Sequence, residues 1–314
     1  MPVNATLATY SDWTYGAAVA IYFFAAVLYL CEAAFARPVK AAARELVAAG
    51  AGGTQADGTW TPGLVVKPER SRAERLGRMG VALTVLGVVL QVSSLVLRGF
   101  ATERAPWGNM YEYGSLLTLA AVVTWLVLAR MFEVRKLGGF VLVPIVILMF
   151  LGGTVLYADA APVQPALQSY WLVVHVSVIS VSSGVLLVPG VASVLYLLKS
   201  SGRARFRKLP DADVLDRLAY RSTVFAFPLF TIGIICGAIW AEAAWGRFWG
   251  WDPKETVAFV SWVVFAAYLH ARATAGWRGR PAAWINTLGF ALTVFNLFFI
   301  NLVTTGLHSY AGVG

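Results

Sequence analysis

Eight apolar runs, each long enough to cross a bilayer as a helix, constrain this chain more than any other feature. They cover about residues 13–36, 79–98, 114–132, 139–157, 171–198, 222–242, 255–272 and 283–304. A spanning helix needs about 20 predominantly apolar residues. In hydrocarbon only helices or closed barrels satisfy every backbone N–H and C=O. The runs show little alternation of polar and apolar faces, which suits helices touching lipid on one side and neighbours on the other. Only 13% of residues are charged, against about 25% in soluble domains. The expected fold is an all-α integral membrane protein, a bundle of about eight transmembrane helices.

Charge sets the expected orientation. Most of the Lys and Arg residues fall in segments 37–78, 130–136, 199–221 and 272–280, whereas the alternate connections hold Arg98, Arg104, Arg247 and Lys254. Basic loops stay in the cytoplasm, so both termini are expected outside. The net charge of +9 then belongs to cytoplasmic loops beside membrane lipid, and no nucleic-acid partner is expected. The first run is longer than a signal-peptide core, and its basic residues Arg37, Lys40 and Arg44 follow it; it reads as a retained helix. Residues 1–78 form the first helix and a cytoplasmic loop with Gly- and Ala-rich stretches, and 79–314 the remaining membrane domain. Cys31 and Cys236 sit inside apolar runs without a CxxC pattern and read as small core residues. Ala- and Arg-rich usage points to a bacterial plasma membrane.

The chain has three histidines. His175 lies near the outer end of the fifth run and His308 just past the eighth. His270, near the inner end of the seventh, is about 22 Å along that helix from Glu255 at 1.5 Å per residue. No small site can use all three. Ionisable groups at membrane depth are costly and tend to be functional. Two histidines from different helices on one side suit the axial positions of a haem iron. Zinc would need a cysteine or carboxylate to complete a tetrahedron, and none is evident nearby. The alternative is a pair of hydrogen-bonded interior residues.

On the same side lies AWGRFWGWDPKET (244–256), in which Trp245, Phe248, Trp249 and Trp251 crowd together with Trp240 just upstream. Asp252, Pro253 and Glu255 have the spacing of a capping box with proline at the first helical position. The tryptophans read either as an interfacial belt or, since Gly246 and Gly250 let the chain turn sharply, as a shaped platform for a flat ligand. Arg247 and Lys254 suit either ligand carboxylates or lipid phosphates. ERAPWGNMYEYGS (103–115) repeats the Trp-Gly theme at Trp107 and carries a carboxylate, Glu112, without an evident role; PVQPALQSYW (162–171) leads into the His175 helix.

WGRFWGWDPKET resembles the tryptophan-rich WWD signature of haem-handling proteins in cytochrome c maturation. PWGNMYEY, PALQSYWLVVHV, YLHAR and NLVTTGLHSY follow in the order of the CcsA/ResC family of the system II pathway, over roughly residues 80–310. The resemblance implies that His175 and His308 are the external axial ligands of a transient, non-covalent haem b, flanking a WWD segment of Trp245, Arg247, Phe248, Trp249, Trp251 and Asp252 with Trp107 nearby. It implies that His270 pairs with a histidine of a CcsB/ResB-like partner. It further implies a subunit of a holocytochrome c synthase, with apocytochrome c and a thioredoxin-like thiol reductant as partners and the attachment site extracytoplasmic. An electron-transfer membrane cytochrome and a transporter of haem or another small solute are the other classes compatible with these residues.

Overall fold

The computed structural model describes residues 3–35, 71–132, 134–163, 167–206, 209–274, 276–304 and 306–308. The inner loop expected over 37–78 lies, up to residue 70, outside the described residues. Among the described residues there are eight long helices and no strand. They are α1 (Ala5–Phe35), α2 (Arg72–Thr102), α3 (Met110–Phe132), α4 (Gly138–Thr154), α5 (Tyr170–Ser200), α6 (Ala212–Trp245), α7 (Pro253–Ala273) and α8 (Arg280–Val303). Each belongs to a segment long and apolar enough to span a membrane. The all-α bundle read from the apolar runs is the observed fold.

Several helices outrun the apolar stretch that announced them. α2 begins at Arg72 because the Ser71 hydroxyl accepts the Glu74 amide at 3.2 Å, an N-cap that satisfies one of the first orphan donors. It stops at Glu103, whose left-handed φ of 49° turns the chain away. Pro144, Pro189 and Pro228 lie inside α4, α5 and α6, a placement that neighbouring helices in a membrane bundle tolerate.

Packing runs on aromatic knobs and glycine holes. Tyr15, Tyr22 and Tyr29, spaced by heptads along α1, are buried and lie on one face. Gly87 of α2 and Gly138 of α4 leave room for the Tyr22 and Tyr29 rings, which an added Cβ would strike. The hydroxyls find partners: Tyr15 donates to the Met149 carbonyl at 2.7 Å and Tyr22 to Gln91 Oε1 at 2.9 Å. Gln91 Nε2 in turn donates to the Ser115 carbonyl and to Thr118 Oγ1, both at 2.9 Å. Small residues let helix backbones approach closely where no hydrophobic effect drives them together.

α5 is the hub, touching α3, α6 and α8. At Gly184 its backbone meets that of α3 so closely that a Cβ would collide with the Leu117 carbonyl. Gly233 of α6 packs on Ile179, and Gly190 of α5 on Phe290 of α8. This central helix carries His175 into the end of the bundle where Trp107, Leu167, Trp249 and His308 gather.

Candidate functional site

The tryptophan-rich loop is built by its own caps. α6 ends at Gly246, which takes φ 69° and donates its N–H to the Glu242 carbonyl at 2.8 Å, as glycine does readily after a helix. Asp252 then caps α7, with Pro253 in the first turn and Glu255 closing the capping box. One Glu255 carboxylate oxygen accepts the amides of Gly250 at 2.9 Å and Asp252 at 3.1 Å, and Arg247 donates to the other at 3.2 Å. Gly250 lies against the Arg247 guanidinium, with no room for a Cβ. Trp251, between them, is held at φ 58°, a sparsely populated region for a bulky residue. The capping read from the sequence is present, and it shapes the loop.

The two histidines are each oriented through Nδ1. His175 packs on Gly237 of α6, and its Nδ1 lies 2.8 Å from the Gly233 carbonyl. A carbonyl only accepts, so Nδ1 carries the proton and the lone pair sits on Nε2. His308 Nδ1 lies 2.8 Å from Asp252 Oδ1, which fixes the same tautomer. Asp252 Oδ2 also accepts the Leu307 amide at 2.8 Å, so this carboxylate caps α7 and tethers the chain beyond α8. Such partners on the far ring nitrogen are what orient metal-binding imidazoles.

Trp240 of α6 joins the histidines. Its ring centroid is 6.1 Å from that of His175, with planes 8° apart, and 6.0 Å from that of His308. Trp245 packs edge-on against both Trp240 at 4.7 Å and His308 at 5.2 Å. Both imidazoles open on one cavity, walled by Trp107, Trp240, Trp245, Phe248 and Trp249, with Lys254 and Asn296 among its polar lining.

Of the site residues expected from the sequence, His175, His308, Trp107, Trp245, Phe248 and Trp249 line this cavity. Asp252 stands behind His308. Arg247 sits beside the cavity, bound to Glu255 and stacked over Trp245 at 5.6 Å. Trp251 is set apart, 66% exposed and edge-on to Trp249 and Phe259. His270 is in the last turn of α7, at the opposite end of that helix. Among the described residues no three His, Cys, Asp or Glu side chains converge as a metal site, so a metal held here would bring its other ligands with it.

Glu112 acquires a role that the sequence did not supply. It is buried and accepts Arg98 Nε at 3.0 Å, Arg104 Nη1 at 2.8 Å and the Gly108 amide at 2.8 Å. Arg104 also donates to the Ala161 carbonyl, and Arg98 to the Ala158 carbonyl and Asp12. This cluster ties α1, α2 and the segment after α4 to the strap bearing Trp107. Trp240 was visible as one of the crowded tryptophans, but its packing against both imidazoles comes only from the tertiary fold.

Burial raises the Asp252 pKa, but the His308 bond and the Leu307 and Lys254 amides outweigh it and hold the carboxyl below its ordinary 3.8. A depressed carboxyl contributes stability above that ordinary value and loses it as pH falls through the folded value. Resistance to thermal unfolding in detergent is expected to fall as pH drops below about 4, and Asp252→Asn to flatten that acid limb. Identical acid limbs in the two proteins would contradict the tether.

The model of the family described as cytochrome c assembly protein matches residues 107–308, a span that opens on Trp107 and closes on His308. CcsA of Guillardia theta is 34% identical over 256 residues, covering 74% of this chain and 85% of its own length. The chain belongs to the CcsA family of cytochrome c biogenesis proteins. CcsA of Chlamydomonas reinhardtii is 38% identical, with 75% of this chain and 69% of its own length covered. CcsA of Synechococcus elongatus is 35% identical, with 80% and 91% covered. Among solved structures, cytochrome c haem lyase CcmF superposes with TM-score 0.63 at 18% identity over 94% of this chain. The chain spans about half of that protein, 47% of its length, and the likeness is one of fold. This CcsA-family chain is thus a multi-pass membrane protein of cytochrome c biogenesis, and the residues lining the cavity lie within the matched span.

Proposed function

We propose that this protein receives haem b as transient cargo between His175 and His308 and, with a CcsB/ResB-like partner, presents it for attachment to the CxxCH of an apocytochrome c. The observation that carries this reading is the pair of Nδ1 commitments, to the Gly233 carbonyl and the Asp252 carboxylate. They make Nε2 the nitrogen that bears the lone pair in two residues lining one aromatic-walled cavity. Two neutral imidazoles suit an iron that brings its four equatorial nitrogens in a flat ring. The indole walls suit the faces and edges of that ring, and Lys254 suits a propionate carboxylate.

The chemistry adds each cysteine S–H of the acceptor across a haem vinyl C=C. A C–S bond forms, the thiol hydrogen ends on carbon, and no net oxidation occurs. The acceptor cysteines must therefore arrive reduced, which calls for a thioredoxin-like thiol reductant. The protein holds the porphyrin in one orientation and limits access of water and oxidant. The acceptor's own histidine then replaces one imidazole and carries the product away. His270, at the other end of α7, takes part in an inner site completed by a partner histidine, and haem passes from there to the outer cavity. On this reading the cavity faces the extracytoplasmic side of a bacterial plasma membrane.

The test is an absorption spectrum of the full chain purified with its partner. A low-spin Soret spectrum that disappears as haem passes to a CxxCH peptide is the expected result. A preparation without a Soret band would favour a transporter of another solute, and a haem that no acceptor removes would favour an electron-transfer cytochrome.

A further inference from the structure

The position of Trp240 has a consequence for how the cavity loads. Its ring centroid stands 6.1 Å from that of His175 and 6.0 Å from that of His308, so it lies almost on the plane equidistant from the two imidazoles. It is also no farther from their midpoint than from the imidazoles themselves. A porphyrin held between two axial imidazoles has its iron near that midpoint and its macrocycle in that plane. Trp240 therefore stands where the macrocycle has to go.

The indole is poorly rewarded for being there. Trp240 is 2% exposed, and its Nε1–H has no acceptor among the described residues. A buried donor without an acceptor retains the cost of leaving water. Space to move exists: Ala238 and Ala241, on the same stretch of α6, line the same cavity and present little side-chain bulk. A helical tryptophan has two favoured χ1 wells, and changing between them sweeps the ring over several ångströms.

We propose that Trp240 is a displaceable plug, standing in the equatorial plane of the site and swinging aside when an iron porphyrin enters. This rests on the proposed haem site. The plug keeps the two imidazoles apart from each other and the apolar walls covered between turnovers. It also slows entry, because only the fraction of molecules with the ring displaced can bind.

The test mixes ferric haem with haem-free full-length protein in detergent and follows the Soret shift by stopped flow. Trp240→Ala is expected to load about tenfold faster than the unaltered protein, with Trp240→Phe in between and all three reaching the same low-spin spectrum. Trp284→Phe, on an exposed ring of α8, is expected to load at the original rate. Trp240→Phe keeps a buried ring and guards against loss of folding in the alanine variant. Unchanged rates in both variants would overturn the plug while leaving the haem site standing. So would loss of the low-spin spectrum in both variants with unaltered melting, since Trp240 would then be a wall of the filled site. No Soret band in the unaltered protein would overturn the site and the plug together.

Discussion

Changing His175 and His308 together to Ala is expected to abolish the low-spin haem spectrum of the purified protein and to take cytochrome c maturation to background. The reason is local. The two rings are positioned from outside the cavity, His175 by a backbone carbonyl of α6 and His308 by Asp252, so nothing else in the site holds a nitrogen in their place. Loss of a partner that merely orients a metal ligand costs about 10–100-fold; loss of the ligands themselves exceeds that. Each single variant keeps one ring and is expected to give a high-spin, more readily lost haem. Added imidazole, which fits the volume an alanine leaves, is expected to restore the low-spin band in either single variant but only partly in the double. A double variant with an unaltered Soret band and unaltered cytochrome yield would remove the basis of the proposed function.

The membrane fold was legible because the bilayer imposes a length and a composition on each span. Every apolar run became a helix, and the errors lie at the ends. The run at 79–98 became Arg72–Thr102, and that at 222–242 became Ala212–Trp245. Composition marks the stretch compatible with lipid, whereas a helix ends where its caps are, at Ser71 and Gly246 in these two cases. The capping box at Asp252 and Glu255 was legible for the converse reason: it is a bond between residues three apart, and its partners are adjacent in the text.

The site was legible where few residue types can do the work. With three histidines in the chain, two of them expected at the same end, the pair that lines the cavity could be read directly. Partners distant in sequence were not legible. Asp252 reads as a helix cap, yet it also holds His308, 56 positions on. Arg247 reads as a ligand for a carboxylate, and Glu255 supplies one within the same loop. The seven-residue crowding of Trp245, Phe248, Trp249 and Trp251 suggested one platform, but the left-handed backbone at Trp251 turns that ring outward. Trp240, on the helix before the loop, contributes the ring that packs against both imidazoles.

Glu112→Gln is expected to destabilise the protein by about 3–5 kcal/mol, the usual cost of removing one partner from a buried ion pair, and to lower cytochrome maturation with it. The carboxylate sits between Arg98 and Arg104. Arg98 is almost wholly buried, with a side chain 2% exposed, whereas that of Arg104 is 12% exposed. When Glu112 is neutralised, Arg104 can turn toward solvent. Arg98 cannot, and keeps only Asp12 at 3.4 Å and the Ala158 carbonyl. The Gly108 amide also loses its charged acceptor, so the strap that sets Trp107 against the cavity loosens. The penalty is thus chiefly a buried guanidinium stripped of its best carboxylate partner, and this gives a sharper comparison than one variant can. Removing both charges, as Arg98→Met with Glu112→Leu, is expected to melt above Glu112→Gln alone, because an apolar pair leaves no buried charge behind. If Glu112→Gln melts with the unaltered protein, or if the double variant is the less stable of the two, the cluster does not hold this end of the bundle, and the placement of Trp107 must come from elsewhere.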